Sequence, residues 1–240
     1  MAEKRTFTRL AVESVAVVAS ILIAFSLDAW WNEREVDGRL RVELLSVSEE
    51  MAANLELIDF QLDFNRRQIT GAYFLIQLAE AQGSAALSLP DTIGWLATNG
   101  SPTLDLSLGA VDAVMASGGL QVIESPRLRI SLAGLRDRVT DVREEQVVAR
   151  DVQLALDEYL DGTGWIRVMA PLARSFWGQE RVPGRAAPSN GEVTFRVDGR
   201  ILDMIARRAS WLSVSITEQS ALRSELEEIR AMINSELSES

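Results

Sequence analysis

From Leu40 onward the apolar residues recur as Leu40, Leu44, Val47, Met51, Leu55, Ile58, Leu62, Asn65 and Ile69, at spacings of 4, 3, 4, 4, 3, 4, 3 and 4. This alternation keeps one stripe of side chains on one face of an α-helix, with a single stutter between Met51 and Leu55. No proline interrupts the chain between Asn32 and Pro90, and Gly38 is a tolerated weak point costing about 1 kcal/mol relative to alanine. The pattern predicts one long helix with a single apolar face, ending near Ala81. Asn65 either sets register through an Asn–Asn or Asn–backbone pair or, more plainly, marks where the seam widens.

Upstream, residues 10–31 read LAVESVAVVASILIAFSLDAWW. At 1.5 Å per residue they span about 33 Å, the thickness of a bilayer's hydrocarbon core. Lys4, Arg5 and Arg9 precede the run, and Trp30 and Trp31 stand where an interfacial aromatic belt would lie. We therefore expect a single transmembrane helix that continues into the long helix. Glu13, Ala16, Ser20, Ala24 and Asp28 share one arc of that helix, a membrane association face of small and acidic residues, unless both carboxylates simply reach for water. The apolar run exceeds a cleavable signal's usual length, which favours a retained signal anchor. The basic flanks slightly favour an external body, which in a Gram-negative bacterium means a single-pass protein of the inner membrane with its body in the periplasm.

Acidic residues outnumber basic ones 35 to 24, and the arginines are scattered, so nucleic acid is not an expected partner. Cysteine and histidine are absent, and the one lysine is Lys4. Thiol nucleophiles, disulfides, cysteine or histidine metal sites and histidine-based triads are excluded within this chain. Catalysis by carboxylates alone would need a pair of acids with separated pKa values in one cleft, and no such pair is evident. No catalytic, cofactor-binding or metal-ligating residue is assigned, and the chain is read as a non-enzyme.

Beyond the first helix, Leu89-Pro90-Asp91 and Asn99-Gly100-Ser101-Pro102 are turn signals flanking a short helix from Thr92 to Ala97. Leu104 to Met115 reads as helix, closed by Ser117-Gly118-Gly119. Ser125-Pro126 opens another helix, with Leu128, Leu132, Leu135, Val139 and Val142 on its seam and a shifted phase through Val148, Val152, Leu156 and Leu160. Its arginines interleave with acids, as on a solvated face. From Trp165 to Ser189 the chain is irregular. Trp165 and Trp177 either line a pocket or fill gaps in a helical core, the second being the plainer use of large aromatics. Val193, Phe195 and Val197 have the period of a short strand or an extended arm. A last helix from about Gly199 to Leu237 buries Ile201, Ile205, Trp211, Leu212, Ile216, Leu222, Leu226, Ile229 and Ile233, with Glu225, Glu227, Glu228 and Glu236 facing water.

The segment Glu13 to Glu33, ESVAVVASILIAFSLDAWWNE, resembles the opening of the bacterial proteins grouped as domain of unknown function 6090, through Glu13 and the terminal Trp31, Asn32 and Glu33. Ala113 to Ile123, followed by Leu128-Arg129, is similar to an internal pattern of that family. Ser20 stands in place of a usual glycine, and Asp28-Ala29-Trp30 in place of paired asparagines. The resemblance implies a membrane-anchored protein and brings no activity with it.

The resulting expectation is a mainly α chain. It has a tail at 1–9, a transmembrane helix at 10–31, a helical body at 32–160, an irregular segment at 161–198 and a C-terminal helix at 199–240 that packs on the body. The expected function is a non-catalytic membrane subunit or scaffold. It would meet the lipid bilayer and associate with copies of itself or a larger membrane complex through the association face, the Trp30, Trp31, Asn32, Glu33 motif and the coiled-coil-like seam. The alternative is an extracytoplasmic sensor or ligand-binding protein with a pocket near Trp165 or Trp177 and a separate receiver.

Overall fold

A helical seam must be covered by another apolar surface, and here one helix covers two of them. The computed structural model describes residues 2–82, 86–90, 96–100, 102–161, 163, 165 and 192–239, with the backbone alone at 2–16, 86–90, 192–193, 195 and 239. Helix α1 runs Ala2–Gln82, strand β1 Ala86–Pro90, helix α2 Gly109–Ser117, helix α3 Pro126–Leu160, strand β2 Glu192–Arg196 and helix α4 Gly199–Glu239. Arg41 donates to the Leu237 carbonyl, Asp59 pairs with Arg223 and Asn65 bonds Gln219, so α4 descends as α1 ascends. Arg127 to Glu228 and Arg138 to Glu218 give α3 the same antiparallel relation to α4. The result is a helical bundle in which α1 and α3 run in parallel and α4 runs against both.

Two apolar cores fill it. The first gathers Leu44, Val47, Met51, Ile58 and Leu62 of α1, Leu128 to Val142 of α3 and Leu222, Leu226, Ile229 and Ile233 of α4, with Val111 and Val114 of α2. The second gathers Phe64, Ala72, Leu75 and Ala79, Leu156 and Leu160, Trp165, and Ile201, Ile205 and Ala209. Seam residues Leu44 to Leu62 are buried, and Leu40 packs partly against the first core.

The expected transmembrane helix is corrected. Among the described residues no helix is long and apolar enough to cross a membrane. The stretch is helical, but the side chains of 10–16 lie outside the described residues, and the uncharged apolar run that remains, Val17 to Leu27, covers only about 16 Å. Asp28 and the polar residues after Trp31 dilute it further. The expectations built on that span are withdrawn with it: the single-pass signal anchor, the bilayer as partner, the membrane subunit or scaffold, and the inner-membrane location with a periplasmic body.

Three local expectations also change. Residues 102–108 are not helical, and α2 begins only at Gly109. Asn54 of α1 holds the extended segment, donating to the Ser107 carbonyl at 2.7 Å and accepting from the Ser107 N–H at 3.0 Å. The Glu50 carboxylate accepts from the Ala110 and Val111 N–H groups, doing for α2 what a local cap residue would otherwise do. Second, Leu89 and Pro90 end β1 instead of making a turn; β1 pairs antiparallel with β2, Ala86 opposite Arg196 and Pro90 opposite Glu192. A proline without an N–H is tolerated at the end of such a strand. Third, Glu236 is buried, and its carboxylate takes the N–H groups of Glu124 and Ser125 at the entry to α3.

Other termini follow local chemistry. Gly118 closes α2 at φ 80°, the left-handed conformation that a residue without Cβ adopts at no steric cost. The Ser125 hydroxyl caps α3 by accepting from the Leu128 N–H at 3.3 Å, with Pro126 in the first turn. Of the expected helix from Thr92 to Ala97, positions 92–95 lie outside the described residues and 96–98 are helical.

Asp198 caps α4, accepting from the Ile201 N–H at 2.8 Å and from the Tyr159 hydroxyl at 2.9 Å. These two bonds hold its carboxyl below the usual carboxylate range. Asp198→Ala should cost about 1 kcal/mol at neutral pH in urea unfolding. Because the folded pKa is depressed, the carboxylate's contribution is complete above the ordinary carboxyl range and is lost as pH falls through the lowered value. The stability gap between the parent and Asp198→Asn should therefore close on acidification.

Candidate functional site

Followed without regard to polarity, the buried positions of α4 run Ile205, Arg208, Leu212, Ser215, Gln219 and Leu222, at spacings of 3, 4, 3, 4 and 3. The seam keeps its phase and simply becomes polar at three positions. Helix α1 does the same at Gln61, Asn65 and Gln68, and α3 at Gln146 and Gln153, which continue from Val142 in register. The phase shift expected at Val148 does not occur; Val148 is 37% exposed while Gln153 is buried. Antiparallel pairing brings these residues to one level, and they form a polar layer between the two apolar cores.

The layer is partly satisfied from within. Gln61 donates to Asn65 at 3.2 Å, and Asn65 donates to Gln219 Oε1 at 3.2 Å, which fixes Gln219 Nε2 as an outward donor. The cross-helix partner of Asn65 is thus a glutamine side chain, where the sequence suggested another asparagine or a backbone group. Gln68 donates to the Asn99 carbonyl at 2.8 Å. Gln153 Nε2 donates to the Thr98 carbonyl and to Asp157, each at 2.7 Å. The backbone N–H of Leu104 donates to Gln146 Oε1 at 3.3 Å.

Arg208 is the least ordinary member, being 2% exposed. Its guanidinium donates to the carbonyls of Leu96, Ala97 and Asn99, three acceptors for a group with five N–H donors. No carboxylate touches it among the described residues. Burial pushes its pKa down to about 9, opposed by attraction from Asp157, and it remains a cation at neutral pH. Burial raises the Asp157 carboxyl, while the Gln153 hydrogen bond and the Arg208 charge pull it down.

A cavity of about 250 Å³ opens within this layer. Its walls include Gln61, Asn65, Gln146, Gln153, Arg208, Ser215 and Gln219, the apolar Pro102, Leu104 and Leu212, and at the mouth Asp105, Arg143 and Arg150. Among the described residues four buried side-chain atoms have no hydrogen-bond partner: Gln146 Nε2, Gln153 Oε1, Ser215 Oγ and Gln219 Nε2. All four residues line this one cavity.

The candidate residues named from the sequence lie elsewhere. Ser20, Ala24 and Asp28 are exposed, and the side chains of Glu13 and Ala16 lie outside the described residues. Trp30, Trp31, Asn32 and Glu33 are exposed on the same overhang of α1, with the Arg34 guanidinium 4.8 Å from the Trp30 ring centre. Trp165 is buried in the second core and donates from Nε1 to Thr98 Oγ1 at 2.9 Å; it is not a wall of the cavity. Trp177 lies outside the described residues. Asn65 apart, the polar residues of the cavity wall were missed in the sequence because each stands at a position where an apolar residue is expected, and the legible signal was the unbroken 3–4 spacing through them.

No family model matches the chain, no curated protein matches it, and no solved structure matches it.

Replacing Arg208 with leucine removes its donors from the Leu96 and Ala97 carbonyls, while the Asn99 carbonyl keeps the Gln68 amide. Arg208→Leu should destabilise the bundle by about 2 kcal/mol or more in chemical denaturation, since each buried acceptor left unmet costs about 1–3 kcal/mol.

Proposed function

We propose that this protein is a non-catalytic binding protein whose helical bundle holds a small polar molecule in the cavity between α1, α3 and α4. The observation that carries this reading is that the four buried side-chain atoms without a partner among the described residues all belong to one cavity wall. A core retains unmet polar groups at a cost of about 1–3 kcal/mol each, and a ligand bringing matching atoms would recover it. Apolar walls at Pro102, Leu104 and Leu212 beside a few convergent polar groups are the usual make-up of a small-molecule site. The non-catalytic part rests on composition: without cysteine or histidine, acid–base work would fall to carboxylates, and Asp105 is the one acid lining the cavity among the described residues.

Two measurements test it. Ser215→Ala removes a buried hydroxyl that has no partner, and should raise the urea midpoint by an amount equivalent to about 1 kcal/mol while weakening ligand binding. A loss of stability would mean that the hydroxyl is satisfied within the ligand-free protein. In a thermal-shift screen of the full chain against small polar metabolites, hits should lose their effect in Ser215→Leu, where the larger side chain occupies the cavity. A screen without hits, or hits indifferent to that substitution, would end the reading.

A further inference from the structure

Resting on that reading of the cavity as a binding site, we infer that the molecule held there is a small organic anion, a carboxylate or phosphate monoester carried on a compact apolar body. Charge is the first ground. The chain has 35 acidic residues against 24 basic ones, yet among the described residues the cavity is lined by Arg143, Arg150 and Arg208 against Asp105 alone. An excess of arginine on the walls of an acidic protein is a local inversion, and it attracts negative charge into the opening.

Pairing is the second ground. Along α3, Arg127, Arg136 and Arg138 are each held by a carboxylate, from Glu228, Asp112 and Glu218. Arg129 donates to the Ile123 carbonyl instead, and Arg143 and Arg150, on the same helix, have no carboxylate partner among the described residues; both are exposed and line the cavity. Deeper in, the Arg208 guanidinium is bonded to carbonyl dipoles and touches no carboxylate among the described residues. Guanidinium groups suit planar carboxylates and phosphates because their N–H groups can bond two oxygens at once.

The third ground is donor count. Of the four partnerless atoms, Gln146 Nε2, Gln219 Nε2 and Ser215 Oγ can donate, and only Gln153 Oε1 is purely an acceptor. The wall asks for a ligand rich in acceptor oxygens. At about 250 Å³ the space is at the small end of ligand sites and suits an aromatic acid better than a nucleotide.

The experiment compares benzoate and phenyl phosphate with the neutral benzamide and benzyl alcohol, titrated into the full chain by calorimetry at fixed pH. At least one anion should bind roughly tenfold more tightly than its neutral counterpart and weaken as salt is raised. The arm that binds, benzoate or phenyl phosphate, names the head group. Arg143→Gln and Arg150→Gln, exposed substitutions that leave the core untouched, should each weaken that binding several-fold with unchanged thermal unfolding of the free protein. Benzamide binding as tightly as benzoate, or anion binding indifferent to both arginine substitutions, would overturn the anion inference while leaving the cavity reading in place. Failure of all four probes together with an empty metabolite screen would remove both.

Discussion

Everything in this bundle depends on α4 being the shared antiparallel partner of α1 and α3. Its seam from Leu222 to Ile233 closes one core, and Ile201 to Ala209 closes the other. The charged contacts along its flanks, Asp59 to Arg223 and Arg138 to Glu218, are half-exposed and contribute little on their own. Their geometry instead records an alignment that apolar burial imposes. Once that alignment is set, the polar residues of three helices have no choice of neighbours: Asn65 must meet Gln219, and Gln153 and Arg208 must share the carbonyls of 97–99.

Helices written in the spacing of apolar residues were legible in the sequence, as were ends written in local residues. Leu40 to Leu62, Leu128 to Val142 and Leu222 to Ile233 each carry their helix openly, and Ser125-Pro126 and Ser117-Gly118 mark termini through their own side chain or their own φ. The start of α2 was not legible, because its cap comes from Glu50, 60 residues before Ala110. The extended run before it depends on Asn54, equally remote. Pairing of β1 with β2 joins segments more than a hundred residues apart, and a proline beside an aspartate reads locally as a turn.

The cavity was illegible for a different reason. A reading that follows hydrophobicity selects Trp211, Ile216 and Val148 and so slips off the true seam, whereas one that follows spacing lands on Arg208, Ser215, Gln146 and Gln153. The N-terminal run shows the converse. Its apolar character was plain, yet among the described side chains, from Val17 on, the uncharged run ends at Asp28, and no described helix is long and apolar enough to cross a membrane. That part of α1 extends beyond the end of α4, where Arg41 meets Leu237, and its large apolar side chains are exposed.

A polar layer inside an apolar bundle can serve register alone, since one satisfied cross-helix pair penalises every misaligned pairing. Asn65 with Gln219 is enough for that purpose. Register does not account for the Ser215 hydroxyl or for the ends of Gln146, Gln153 and Gln219 that have no partner among the described residues. Alanine or leucine at those positions would keep the alignment and remove the burial cost. Nor does it account for a guanidinium that is buried with no carboxylate against it among the described residues when acidic residues are the commoner charge in the chain. What these groups have in common is a single space that all of them border, and a small acceptor-rich molecule placed there satisfies the unmet donors and the unbalanced charge together.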